Sequence, residues 1–153
     1  MRRRDKQLTR HEELEEIIRR GEICHLAFSD EDIPYVIPIN YGYSENSLYF
    51  HSAPEGRKID IIRKNNIVAF AITADTAFIK AENACGWGMR FNCVTGTGRA
   101  VILTEKQDKL RGLAIIMSQY DNRGPWEFDD KSVDKTVVIR LEIAEMTGKR
   151  SGL

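Results

Sequence analysis

Arg90-Phe91-Asn92-Cys93-Val94-Thr95-Gly96-Thr97-Gly98-Arg99-Ala100-Val101-Ile102-Leu103 alternates in period two along most of its length. Cys93, Thr95, Thr97, Arg99 and Val101 share one face, and Val94, Gly96, Gly98 and Ala100 share the other. A long strand whose second face is lined by glycine and alanine packs thinly, as a tightly curved barrel requires. On its C-terminal side, Thr104-Glu105-Lys106-Gln107 has the form of a capping box. Leu110, Leu113, Ala114, Met117 and Tyr120 continue from it as a helical stripe expected to face the core. Asp121 to Asp134 is turn-rich and carries Trp126 and Phe128, and Thr136 to Met146 alternates Val137, Ile139, Leu141 and Ile143 against polar partners as a closing strand.

On the N-terminal side, Ile67 to Thr73 is a buried strand. Ala74 to Gly88 has weak periodicity and reads as a surface loop, its Cys85-Gly86-Trp87-Gly88 placed to reach a ligand or partner. At the front, Thr9-Arg10-His11-Glu12 has capping-box form, and Leu14, Ile17 and Ile18 follow at helical spacing up to Gly21. Ile23 to Ser29 and Tyr35 to Tyr43 then form a hairpin about Asp30-Glu31-Asp32. In its second strand Tyr35, Ile37, Ile39, Tyr41 and Tyr43 make a bulky face, opposite Val36, Pro38, Asn40 and Gly42. Leu48 to Ser52 is a further strand, and Pro54-Glu55-Gly56 leads into a short one-sided helix ending at Asn65-Asn66. About six strands joined mostly by short turns, with no regular strand-helix alternation, predict an α+β, β-dominated fold: a six-stranded antiparallel barrel with flanking helices.

The 153 residues suit one compact domain over 1–153, and 42% hydrophobic with 30% charged residues is globular composition. Lys plus Arg (23) balance Asp plus Glu (23), so no global basic field holds nucleic acid or an anionic membrane. The longest strongly apolar run, Ile67 to Ala74, is far short of the ~20 residues that span a bilayer. No apolar segment follows Met1-Arg2-Arg3-Arg4 as a secretory signal would have, so the expectation is a cytoplasmic protein. Cys24, Cys85 and Cys93 show no C-x-x-C spacing, and the three histidines are scattered, so neither a disulfide framework nor a metal site is expected.

The chemistry concentrates in Phe50-His51-Ser52-Ala53-Pro54-Glu55-Gly56-Arg57-Lys58. A strand delivers His51 and Ser52 to the barrel mouth. The following helix start adds two cations, Arg57 and Lys58, beside its positive dipole end and free amides, a place suited to a dianionic phosphate. In the second hairpin strand, the small face of Val36, Pro38, Asn40 and Gly42 lets a flat ring approach the backbone closely.

These residues resemble the pyridoxamine 5'-phosphate oxidase-like flavoproteins, and within them the nitroimidazole-resistance proteins. The likeness runs through Met1-Arg2-Arg3-Arg4-Asp5-Lys6, Pro34 to Tyr41, His51 to Lys58, and Gly98-Arg99-Ala100. The resemblance implies a split β-barrel that binds FMN as a homodimer, each flavin held at the subunit interface. It implies that Arg57, Lys58 and Ser52 hold the FMN phosphate. Val36, Pro38, Ile39 and Asn40 then underlie the isoalloxazine and ribityl chain, Cys93 lies beside the flavin, and His51 faces its pocket as the catalytic candidate.

Departures narrow the activity. The chain ends Thr147-Gly148-Lys149-Arg150-Ser151-Gly152-Leu153 without the Arg-x-His segment of the oxidases proper, and has Asn40 where they carry a substrate-contacting Lys. With no G-x-G-x-x-G after a strand, NADH or NADPH would bind transiently over the flavin. The expected function is an FMN-dependent oxidoreductase passing electrons from a nicotinamide cofactor to a small planar acceptor such as a nitroimidazole. His51 would donate a hydrogen bond or proton to the acceptor, and Trp87 or Trp126 would wall the slot. The alternatives are a non-catalytic flavin-binding protein, or a split barrel holding haem or a deazaflavin.

Overall fold

The computed structural model describes residues 4–152. Met1, Arg2 and Arg3, part of the N-terminal block of the family resemblance, lie outside the described residues. The strands are β1 (Gln7–Leu8), β2 (Cys24–Asp30), β3 (Ile33–Ile39), β4 (Gly42–Ser44), β5 (Ser47–Ser52), β6 (Ile67–Ile79), β7 (Gly88–Leu103) and β8 (Val137–Ser151). They form one antiparallel sheet in the order β3-β2-β6-β7-β8-β5-β4, with β1 paired to β8. The helices are α1 (His11–Arg20), α2 (Arg57–Lys64), α3 (Lys106–Tyr120) and α4 (Asp130–Lys135).

The strand order forces a barrel. β3 and β4 are the two ends of the sheet, yet only Asn40 and Tyr41 separate them in sequence. Three Cα steps reach at most about 11 Å, so the sheet rolls up until its edges face one another. They meet without a ladder between them, and the result is a β-dominated α+β split barrel, open along a seam.

Eight strands replace the six expected. One addition is the two-residue β1. The other is β4, which the alternation from Tyr35 to Tyr43 merges with β3. The merger fails at Asn40 and Tyr41, where the chain crosses the seam. Tyr41 is fully buried there, its hydroxyl donating to the carbonyls of Ile18 and Gly21 at the end of α1. Its backbone N–H donates to the Tyr120 hydroxyl at 3.0 Å, and that hydroxyl donates to the Glu22 carbonyl at 2.7 Å. Burial pushes the Tyr41 phenol above its ordinary range, so it stays a donor.

The loop expected from Ala74 to Gly88 is strand at its two ends and loop only from Lys80 to Trp87. β6 runs on to Ile79 and β7 starts at Gly88, making a two-stranded arm. A bulge hides its periodicity: Ala74 pairs with Asn92 and Ala77 with Arg90, so Asp75 and Thr76 together oppose Phe91. Neither capping box forms, since Arg10 and Glu105 are the N-caps of α1 and α3 and neither makes a side-chain cap hydrogen bond. In α3, Gly112 and Ile116 are the buried residues while Met117 and Tyr120 are exposed, so the stripe is turned from the one expected. α4 arises within the segment read as turns, capped by Asp129.

The inner face of the sheet and α1 share one core, with Leu14, Ile17 and Ile18 packed among Leu26, Phe50, Phe70, Ile72 and Val94. The glycines of β7 are sterically required. A methyl group on Gly98 would collide with the Glu142 carbonyl, and one on Gly96 with the Glu145 carbonyl and the Phe70 ring. Among the described residues no helix is long and apolar enough to cross a membrane.

Tyr41→Phe removes the buried hydroxyl while Gln119 still donates to the Ile18 and Gly21 carbonyls. The expected loss is about 1–2 kcal/mol, a fall in Tm of roughly 2–8 °C with the far-UV circular dichroism unchanged. An unchanged Tm would show that the seam crossing is not held by this hydroxyl.

Candidate functional site

The seam itself makes the site. β4 pairs only with Ser47, Leu48 and Tyr49, so the rest of β5, Phe50 to Ser52, has β8 on one side and no strand on the other. Across the gap runs β3, which among the described residues pairs with β2 alone. Its Pro34 and Pro38 lack the N–H that a further strand would need. Between these edges lies a cleft of about 500 Å³, within the range of small-molecule sites.

Tyr35, Ile37, Pro38, Ile39 and Asn40 form one wall of the cleft, and His51, Ser52, Ala53 and Lys58 form the other. Of the residues expected at the site, Pro38, Ile39, Asn40, His51, Ser52 and Lys58 are therefore brought together. Arg57 stands beside them. Its guanidinium lies 4.6 Å above the Tyr35 ring centroid and its Nε 3.6 Å from Asp30 Oδ2. That ion pair is partly exposed and holds Arg57 weakly. Val36 and Cys93 do not line the cleft; the ladder places both on the outer face of the sheet. Trp87 is at the arm tip, donating to the Ala81 carbonyl at 2.9 Å, and neither it nor Trp126 reaches the cleft.

The floor near α2 is built for an anion. Gly56 is the N-cap of α2 at φ 120°, a conformation that favours glycine, and no side chain caps the helix. Space is open where its Cβ would be. The first amides of α2 and half-buried Lys58 thus offer N–H groups and positive charge at one spot. Ser52 is buried, with its hydroxyl donating to the Ala53 carbonyl at 2.8 Å, which leaves its oxygen able to accept. His51 is exposed at the cleft edge, opposite Val138 in the ladder. The residues present fit a ligand with one dianionic end and one flat apolar end.

Tyr35 and Ile37 were missed as site residues because their alternation marks them as core. They pack against the core from an edge strand and stay half-exposed to the seam. The two prolines in β3 were the available signal for that edge. Asn40 also borders a second, polar cleft of about 450 Å³ lined by Arg19, Gln119 and Tyr120 among others.

The sequence pattern of the family described as pyridoxamine 5'-phosphate oxidase matches residues 10–150. Among solved structures, a "putative 5-nitroimidazole antibiotic resistance protein" from Bacteroides thetaiotaomicron is 28% identical, with 94% of this chain and 85% of that one covered at a TM-score of 0.83. The flavocytochrome Anf3 from Azotobacter vinelandii is 18% identical, covering 100% of this chain and 72% of that one at a TM-score of 0.86, a likeness of fold. An uncharacterized protein from Rhizobium meliloti is 41% identical over 61 residues, 40% of this chain and 40% of that relative.

The thiols rank by environment. Burial pushes Cys24 up to about 12 and raises Cys93 as well, so neither is a ready thiolate near neutral pH. Cys85 is exposed on the arm. An aromatic disulfide reagent at pH 8 is expected to titrate Cys85 quickly, Cys93 at least tenfold more slowly, and Cys24 only after denaturation. Fast reaction of Cys24 in the folded protein would contradict its burial.

Proposed function

The chain belongs to the pyridoxamine 5'-phosphate oxidase family, and on that footing we propose that it holds FMN in the seam cleft. We further propose that it passes electrons from NADH or NADPH to a small planar acceptor such as a nitroimidazole. The observation that carries the reading is that one cleft joins an uncapped, lysine-flanked helix start to the Pro38-Ile39-Asn40 edge. The 28% identical relative from Bacteroides thetaiotaomicron, covered over most of both chains, supports the choice of acceptor class.

Each side chain has a role in this reading. Lys58 and the first amides of α2 neutralise the phosphate dianion, Ser52 accepts or donates beside them, and Arg57 swings from Asp30 to join Lys58. Pro38, Ile39 and the half-buried Tyr35 and Ile37 exclude water from the flat end, and the Asn40 carboxamide supplies a donor and an acceptor. FMN, when bound, supplies the electron-transfer chemistry. His51 donates a hydrogen bond or a proton to the nitro oxygen of the acceptor. The reading includes a homodimer that covers the cleft, as the family likeness implies. In that dimer Val36 and Cys93 are placed to approach the partner's flavin.

FMN titration followed by quenching of flavin fluorescence tests the phosphate site. Arg57→Ala/Lys58→Ala is expected to weaken binding at least tenfold, since a hydrogen bond to a charged group is worth about 1.5–3 kcal/mol and each ~1.4 kcal/mol is tenfold. Unchanged affinity would show the phosphate lies elsewhere. His51→Ala is expected to bind FMN normally and lose roughly 10²-fold in acceptor turnover. Failure of every nicotinamide donor to bleach the bound flavin anaerobically would leave a flavin-binding protein without this activity.

A further inference from the structure

The seam cleft does not end at Asn40. That residue also lines the polar cleft of about 450 Å³, and Arg19 and Gln119 of the polar cleft line in turn a third, of about 390 Å³, together with Ser44, Arg111 and Ser118. Clefts that share wall residues make one trough, each part within the range of small-molecule sites. Its outer part follows α3, where Arg111 and Ser118 stand about 10 Å apart along the helix axis.

β3 sets the order of chemistry along the trough. The Arg57 guanidinium, beside the start of α2, lies 4.6 Å from the Tyr35 ring centroid. Asn40 comes five residues later, about 16 Å along an extended chain. The Arg57 cation and the junction with the polar cleft are therefore at different ends of the seam cleft.

The outer trough holds polar groups that the fold leaves unused. Arg19 lines both of its parts and, among the described residues, pairs with no carboxylate; its guanidinium lies 5.1 Å from the Tyr43 ring centroid. By contrast, Arg20 is engaged by Asp75 and Arg111 by Glu45. The Gln119 Nε2 faces the Ile18, Arg19 and Gly21 carbonyls at 3.1 Å each. Those carbonyls require the amino group on that side, so the Oε1 atom is left to accept from elsewhere. Among the described residues the side chains of Asn40, Ser44 and Ser118 make no hydrogen bond. Glu22, the one carboxylate lining the outer trough among the described residues, is exposed.

We propose that this trough receives the ribose-diphosphate chain of the nicotinamide dinucleotide donor, with the nicotinamide end at the Ile39-Asn40 edge and the diphosphate on Arg19. The assignment rests on the electron-transfer reading of the seam cleft and adds a donor site to it. A diphosphate flanked by two riboses asks for a free guanidinium, for oxygens that accept from hydroxyl groups, and for length. Arg19 supplies the first, Gln119 Oε1 and the Glu22 carboxylate the second, and the path along α3 the third. A small acceptor such as a nitroimidazole needs none of these, so the trough suits the donor and leaves the acceptor to the seam.

Calorimetric titration of the full chain with ADP-ribose tests this, because that probe carries the diphosphate and both riboses but no nicotinamide. Arg19→Ala and Ser118→Glu, both at exposed positions, are each expected to raise its dissociation constant about tenfold or more with circular dichroism unchanged. In anaerobic bleaching of bound flavin, both are expected to raise the KM for NADH or NADPH relative to that for N-methyl dihydronicotinamide, a donor with no diphosphate. Arg57→Ala/Lys58→Ala is expected to weaken FMN binding and keep the ADP-ribose affinity. Unchanged ADP-ribose affinity in both trough variants, or no binding by the wild type at millimolar probe, would overturn the proposal. Loss of ADP-ribose binding in Arg57→Ala/Lys58→Ala alone would also overturn it, placing the diphosphate at the FMN phosphate site. ADP-ribose binding that depends on Arg19 in a protein that takes no FMN would support the trough and contradict the cofactor reading instead.

Discussion

The Tyr41 hydroxyl, buried against the last carbonyls of α1, is the contact on which the architecture turns. It sits at the step between β3 and β4, the two ends of the sheet, and fixes where the chain crosses from one edge to the other. Because the crossing is pinned to a helix end and to Tyr120, the edges face each other without zipping into a ladder. Pro34 and Pro38 keep β3 from pairing further, and β4 is too short to shield β5 beyond Tyr49. The seam is therefore a consequence of backbone accounting, and the cleft is the seam.

The two faces of one sheet divide the work. The inner face and α1 bury the core that makes the barrel stable. Where the barrel fails to close, an anion-ready helix start meets a flat strand edge, which is the arrangement a phosphate-bearing aromatic ligand needs. The outer face carries a patch of Ala69, Ala71, Thr95 and Thr97 bordered by the charged Arg99, Glu145 and Lys149.

Much of this was legible from residue types. The glycines of Arg90 to Leu103 announced a curved strand, and Gly96 and Gly98 do stand where a methyl group would strike the neighbouring backbone. The His51 to Lys58 stretch and Pro38 to Asn40 announced the chemistry of a site, and the cleft gathers most of them. The rest was hidden for physical reasons. Tyr41 and Tyr43 continue the alternation of β3 because both are buried, although the chain changes edge between Ile39 and Gly42. The bulge broke the period of β6, so an arm looked like a loop. The two capping boxes matched in letters, but the caps formed are Arg10 and Glu105 without side-chain bonds. Family likeness sets Cys93 and Val36 beside a flavin, while the ladder places both on the outer face and outside the residues that line the cleft.

The most direct measurement of the central claim is the absorption spectrum of the purified protein together with mass identification of the cofactor released on denaturation. The account predicts a yellow protein with the absorption bands of an oxidised flavin, and FMN in the supernatant. A protein that is colourless and stays so with added FMN, or one that shows a Soret band, would contradict it.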